Sequence, residues 1–421
     1  MKPGLCPLTL VIILVFCIVI SGCSQDLSTI NPLGSKSSLD TIIDANNRFS
    51  LSLYSNLAGD TVNNDKNLFF SPWSISSVMA VSYEGARNKT ADEIREVFSF
   101  PDNRSKLRDG YANLNNEVNE NNPAYTLRTA NALWTEKTYA LLPEYSQISR
   151  QFYGANTENI DFINDAEGSR NTINSWVAKK TDDKITNMVS QGEITPDTKL
   201  IITNAIYFKG TWLKQFETKK TSDQTFKQAS GNIVHVQMMV RDDHDSVFKY
   251  GETDQIQILE MEYLKGNGKQ LSMLLLLPRE NNLLRLEKTL DSNKLAELKR
   301  SMTNQLVIVY VPKFRLDTEY KLSRNLASMG MPTAFSNSAD FSGIDGTQTL
   351  MIDDVIHKAY VAVDEEGTEA AASTAAYMTP KGEGPRPPPV FRADHPFIFI
   401  IQDSENGNIL FMGRITNPNE G

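Results

Sequence analysis

The chain has 421 residues, 40% hydrophobic and 22% charged. That composition fits a globular protein and excludes a collagenous, wholly disordered or many-spanning membrane chain. Lys+Arg 42 against Asp+Glu 51 gives a formal net charge of -9, which leaves no general electrostatic footprint for nucleic acid.

All three cysteines, Cys6, Cys17 and Cys23, lie in the leading segment, so the remainder has no thiol nucleophile and no thiolate metal site. That segment opens with Lys2 and an apolar run from Leu8 to Ile20, too short for a spanning helix as first choice and readable as a targeting signal. Its ISGC ending resembles a bacterial-type lipobox, which implies a signal peptide over 1–22, cleavage before Cys23 and a lipid on the Cys23 sulfur. The alternatives are an ordinary secretory signal and an uncleaved anchor; in each, the remainder crosses a membrane. The stretch 23–40 is rich in Ser, with Asn31, Pro32 and Gly34 inside it, and reads as a tether from membrane to fold.

Helical signals come next. Ile42, Ala45, Phe49, Leu53 and Leu57 recur at helical spacing. In SPWSISSVMAVSYEG, Ser71 is an N-cap, Pro72 suits the first helical position, and Gly85 is placed to close the helix in a left-handed turn. Thr90 and Glu93 have capping-box spacing, ahead of Ile94, Val97 and Phe98. Strand signals dominate after residue 200, in IITNAIYF, LSMLLLLP, LVIVYVPKF, HPFIFIIQD and ILFMGRI. A helix is expected over Thr318–Gly330 from Leu322, Leu326 and Met329, and a hairpin turn over Gly266–Gln270. Early helices and late strands without regular alternation favour an α+β fold of packed sheets.

Catalytic patterns are scarce. The four histidines, His235, His244, His357 and His395, include no HExxH; a polar stretch separates His235 from His244; no GxSxG occurs. This chemistry does not favour an enzyme. The segment after Val363 is the unusual one. A tract of small residues is followed by Pro380–Pro389, in which five of ten residues are proline, so this second half is neither a central strand nor a regular helix. If the tract forms a strand, Thr368, Ala370, Ala372, Thr374 and Ala376 share one face, with Glu369, Ala371, Ser373 and Ala375 on the other. A helix also accepts the alanines, and periodicity leaves both outcomes open.

Five segments in order, NLFFSPWSISSVMAVSYEGARNKTADEI, TNAIYFKGTW, VPKFRLDTEYKL, HKAYVAVDEEGTEAAASTA and ADHPFIFIIQDSENGNILFMGRITNP, resemble the serpin family of serine protease inhibitors, over about Thr41 to Pro418. The resemblance implies a domain over 41–421 with three β-sheets, eight to nine helices, a central five-stranded sheet and an exposed reactive-centre loop at about 365–392. It implies no enzyme, cofactor or metal. The implied action is that of a suicide substrate: a serine protease cleaves the loop, forms an acyl-enzyme, and is carried about 45 Å when fourteen residues insert as a new strand at roughly 3.3 Å each.

Residue roles follow by the same resemblance. The GTEAAASTA hinge, Gly367, Thr368, Glu369, Ala370, Ala371, Ala372, Ser373 and Thr374, resembles that of inhibitory members. Counting fourteen positions from Gly367 gives Lys381–Gly382 as the reactive bond and a trypsin-like protease as partner, with Tyr377 or Met378 as alternative contact residues because the loop beyond Lys381 is long. Ser71, Ser74, Asn204 and His357 match the polar region over which the central strands part, Trp212 the aromatic at the point of first insertion, and Lys313 and Glu365 a pair at the top of the sheet. The implied molecule is a monomer before protease capture, without nucleic acid, held at the cell surface by a lipid on Cys23 or secreted. A noninhibitory member acting as an extracellular binding or structural module is the alternative.

Overall fold

In the computed structural model, Met1 and residues 36–118, 122–366 and 387–420 are described. The leader, Cys23 and its tether to residue 35, and the loop residues from Gly367 through Lys381 and Gly382 to Arg386, lie outside them. In chain order the elements are α1 (Lys36–Gly59), β1 (Leu68–Phe70), α2 (Pro72–Gly85), α3 (Asn88–Phe98), α4 (Arg104–Val118), β2 (Tyr125–Glu136), α5 (Pro143–Tyr153), β3 (Asn156–Ile160) and α6 (Ala166–Lys180). Then come β4 (Leu200–Gly210), β5 (Ser222–Lys227), β6 (Ile233–Arg241), β7 (Val247–Glu252), β8 (Ile256–Glu262), β9 (Leu271–Pro278), α7 (Leu283–Thr289), α8 (Ser292–Ser301), β10 (Thr303–Leu306), β11 (Ile308–Pro312) and β12 (Phe314–Lys321). The last are α9 (Ser323–Met329), α10 (Ser342–Asp345), β13 (Asp354–Val363), β14 (Val390–Arg392), β15 (Phe397–Asp403) and β16 (Ile409–Ile415).

The strands form the three sheets expected of this α+β fold: seven strands in the order β1-β16-β15-β9-β8-β7-β10, four in the order β14-β11-β6-β5, and five in the order β12-β13-β4-β2-β3. Ten α-helices occur among the described residues, against eight to nine expected; short segments such as the four-residue α10 account for the excess. The five-stranded sheet is largely buried in β2, β4 and β13, while its edge strand β12 exposes alternate residues. Its inner face, with Ile202, Ile206, Phe208, Ala359, Val361 and Val363, joins the main core, while Trp134, Ile201, Ala205 and Ile356 on its outer face pack with Ile173 and Val177 of α6. Burial on both faces of β4 explains why IITNAIYF reads as a nearly continuous apolar run.

Local chemistry revises several expectations. Ser71 caps α2 as expected, its Oγ accepting from the Ser74 amide at 3.2 Å. Gly85, however, ends the helix without a left-handed turn; the residue after it, Ala86, has φ -75. A glycine is needed there because a Cβ would meet Ile344 Cγ1 at 2.2 Å. The Thr90–Glu93 capping box does not form. Helix α3 begins at Asn88, Thr90 Oγ1 accepts from the Asp340 amide, and Glu93 accepts from the Thr333 amide and hydroxyl, so both side chains tie α3 to the segment 333–340. The helix expected from Thr318 starts only at Ser323. Residues up to Lys321 pair with β13 instead, and Thr318 Oγ1 donates to the Phe69 carbonyl. LVIVYVPKF is divided among β10, β11 and β12, each in a different sheet. The Gly266 turn joins β8 to β9 as expected, with φ 58.

Candidate functional site

The site begins with an orientation. Within the five-stranded sheet β4 and β13 are neighbours and run parallel, from Asp354↔Ile201 to Val361↔Phe208. Parallel neighbours need a crossover, and 143 residues separate Gly210 from Asp354. The chain leaves the C-terminal end of β13 at Val363, and the segment with the small-residue tract starts from there. A strand that turns back at this point runs antiparallel to β13 and also antiparallel to β4, so of the two seams flanking β13 this is the one where it gains an antiparallel ladder on both sides; beside β12 it would be parallel to that strand.

Side chains cross that seam on its inner face. His357 of β13 and Asn204 of β4 are in register, both with no exposed surface, and His357 Nδ1 lies 2.5 Å from Asn204 Oδ1. The Ser71 amide donates to His357 Nε2 at 3.1 Å. Nε2 is therefore the acceptor, and Nδ1 carries the proton donated to Asn204. Asn204 Nδ2 donates to Ser74 Oγ at 2.6 Å and to Asn131 Oδ1 of β2 at 2.5 Å, and Ser71 Oγ donates to the Leu410 carbonyl of β16 at 2.7 Å. Burial pushes the imidazole down to about 3, against a smaller raising effect of the bond to Asn204. A neutral ring is what this network requires, since a protonated Nε2 has no lone pair for the Ser71 amide.

All four sequence-derived members, Ser71, Ser74, Asn204 and His357, are thus brought together around the N-terminal turn of α2. Asn131 and Tyr320 were missed. Asn131 faces Asn204 in the β2–β4 register, and Tyr320 stacks on His357 at 6.3 Å with 17° between the rings. The signal for Asn131 was an internal echo: TANAL in β2 and TNAIY in β4 each place one Asn inside an apolar strand.

The second group sits where β13 ends. Lys313 Nζ lies 2.7 Å from Glu365 Oε2, and Glu365 is 5% exposed. Burial raises the Glu365 carboxyl, but hydrogen bonds from Lys313, Thr221 and its own backbone, together with the charge of Lys313, outweigh it and hold the group below its ordinary range. Trp212 Nε1 donates to the Asp364 carbonyl at 3.0 Å, the Phe216 amide to the Glu365 carbonyl at 3.1 Å, and Gln215 Nε2 to the Glu366 carbonyl at 3.0 Å. The Trp212 ring stacks on Tyr263 at 4.3 Å. Three successive carbonyls at the start of the loop are therefore clamped by residues 212–216, a feature of the backbone that no side-chain pattern announced. At the other end of the loop the Ile308 amide donates to the Pro389 carbonyl at 3.0 Å, and β14 pairs parallel with β11. Both anchors of the loop are thus held, while the hinge residues Gly367–Thr374 and the Lys381–Gly382 bond lie outside the described residues.

Residues 44–418 match the family model described as Serpin (serine protease inhibitor). An uncharacterized serpin-like protein of Methanosarcina mazei is 40% identical over 380 residues, covering 90% of this chain and 87% of the relative. Serpin B6 of Pongo abelii is 41% identical over 388 residues, with 90% and 100% covered. Among solved structures, human thyroxine-binding globulin complexed with its ligand superposes with TM-score 0.80 at 28% identity, over 90% of this chain and 99% of that one.

Proposed function

The chain belongs to the serpin family, and from that premise we propose that it is an irreversible suicide-substrate inhibitor of trypsin-like serine proteases. The observation that carries this reading is the parallel β4–β13 seam at the end of β13, where the sequence runs on into alternate residues, Thr368, Ala370, Ala372, Thr374 and Ala376, that are small enough to enter it. The protease serine attacks the Lys381 carbonyl, the bond to the Gly382 nitrogen breaks, and an ester joins Lys381 to the protease. The freed segment then turns at the end of β13 and takes the place between β4 and β13, drawing the ester away before water hydrolyses it. The chain contributes conformational energy and the protease contributes the nucleophile.

Lys381 is the first basic residue after the hinge, and Gly382 leaves room beyond it, whereas Pro387 blocks the bond after Arg386. A protease with an acidic specificity pocket is the matching partner. The leader 1–22 exports the chain, and a lipid on Cys23 holds it at the cell surface through the tether to residue 40, with the serpin domain beyond and no role in nucleic-acid binding. Mass analysis of the mature N-terminus tests that arrangement; an unmodified Cys23 on a released chain would replace it with plain secretion. A second reading, an extracellular binding module, draws on the likeness to thyroxine-binding globulin.

One experiment separates the two. Incubation with trypsin followed by denaturing electrophoresis is expected to give a boiling-resistant complex near one-to-one stoichiometry. Cleaved chain with free, active protease as the only products would overturn the inhibitory reading.

A further inference from the structure

The seam is also bridged on its outer face, by residues outside the polar network. Three positions beyond the His357–Asn204 pair, Tyr360 of β13 stands in register with Tyr207 of β4. Their rings lie 5.5 Å apart and tilted by 47°. A cation flanks each ring: the Arg315 guanidinium is 4.9 Å from the Tyr360 centroid and Lys184 Nζ 5.9 Å from that of Tyr207. The row continues in register to Asp317 of β12 on one side and Arg128 of β2 on the other, and Arg128 is fixed by Asp182 at 2.9 Å. Tyr207 is buried and Tyr360 half-buried, so the pair excludes water from the seam.

The position of this rung matters for the direction of opening. A strand entering from the end of β13 parts the registered pairs in order, Val361↔Phe208 first and Tyr360↔Tyr207 next. Phe208 and Val361 face the inner core, so the tyrosines are the first side chains across the outer face that an entering strand separates. Neighbouring strands lie about 4.8 Å apart, and an added strand doubles that distance, beyond the reach of ring contact.

We propose that Tyr207 and Tyr360, steadied by Arg315 and Lys184, form a rung that sets the barrier to separating β4 from β13, and so act as positioning residues for strand insertion. The proposal rests on the insertion reading above, but its test does not need a protease. Hydrogen exchange of the intact full chain reads seam opening at the amides of 201–208 and 354–361. Tyr360→Ala should accelerate exchange there about 5–30-fold, with amides of β9 and β15 unchanged, and Tyr360→Phe should keep the wild-type rate. Arg315→Gln removes only the exposed cation and should give about 2–5-fold, which keeps the test available if Tyr360→Ala does not fold. Unchanged seam exchange in Tyr360→Ala, or in Arg315→Gln where that is the variant read, or equal acceleration in β9 and β15, would overturn the rung. Faster seam exchange alongside absence of a covalent protease complex in every variant would uphold the rung and count against inhibition alone.

Discussion

Acidification from pH 7.5 to pH 5 should weaken the fold through His357, and the size of the effect follows from its surroundings. The imidazole has no exposed surface, its Nε2 accepts from the Ser71 amide, and its Nδ1–H reaches Asn204. Burial lowers it from the ordinary histidine value of 6.5 to about 3. Between these values the unfolded ring takes a proton and the folded one does not, so the unfolded state binds more protons and stability falls as pH falls. The stabilisation is complete above about 6.5 and is lost on the way down to about 3; at about 1.4 kcal/mol per pH unit, roughly 2 kcal/mol is gone by pH 5. Urea unfolding of the loop-intact chain in half-unit pH steps, compared with His357→Gln, isolates this contribution from His235, His244 and His395, which both proteins share. The variant should be less stable at pH 7.5 and should lose about 2 kcal/mol less than wild type on reaching pH 5. Parallel pH profiles for the two proteins would refute the assignment of a neutral, doubly bonded imidazole to the seam.

Replacing Thr368 with Arg should leave loop cleavage intact but convert most protease encounters to turnover, because a long cation must enter the seam at the first inserted position at a cost of several kcal/mol; titration with measurement of residual activity and cleaved chain checks this, and an unchanged trapped fraction would sink it. Lys381→Ala should sharply slow association with trypsin while leaving the thermal midpoint unchanged, since the inhibitory reading puts this residue in a reactive-centre loop with little packing to lose; equal association rates would move the reactive bond elsewhere. Glu365→Gln should cost about 1 kcal/mol near neutrality, a modest figure because Lys313 is 38% exposed and screened. The Glu365 carboxyl is held below 4.5, so its contribution is present above that pH and lost below it; thermal midpoints of wild type and variant should converge under acid, and a constant gap would contradict the pairing.

Much of the sheet was legible because strands buried on both faces announce themselves, as IITNAIYF does in β4 and HPFIFIIQD in β15. The helix start at Ser71 was legible because an N-cap and a following proline act locally. Thr90 and Glu93 misled for a related reason: the same hydroxyl and carboxylate that cap a helix also bond a distant segment, here 333–340, and spacing cannot tell these uses apart. Thr318–Lys321 misled because helical spacing in a short stretch competes with a strand partner that only the tertiary fold supplies. The site showed the same division. Resemblance located His357, Asn204, Lys313 and Glu365, whereas Asn131, the carbonyl clamp on 364–366 and the Tyr207–Tyr360 rung depend on register between strands far apart in the chain.

The most direct test of strand insertion is a crystal structure of the chain cleaved in its loop. Insertion should give a sixth strand in this sheet, starting soon after Gly367, antiparallel to both β4 and β13, with the His357–Asn204 hydrogen bond broken. A cleaved chain in which Asp354–Val361 still pairs directly with Ile201–Phe208 would contradict it.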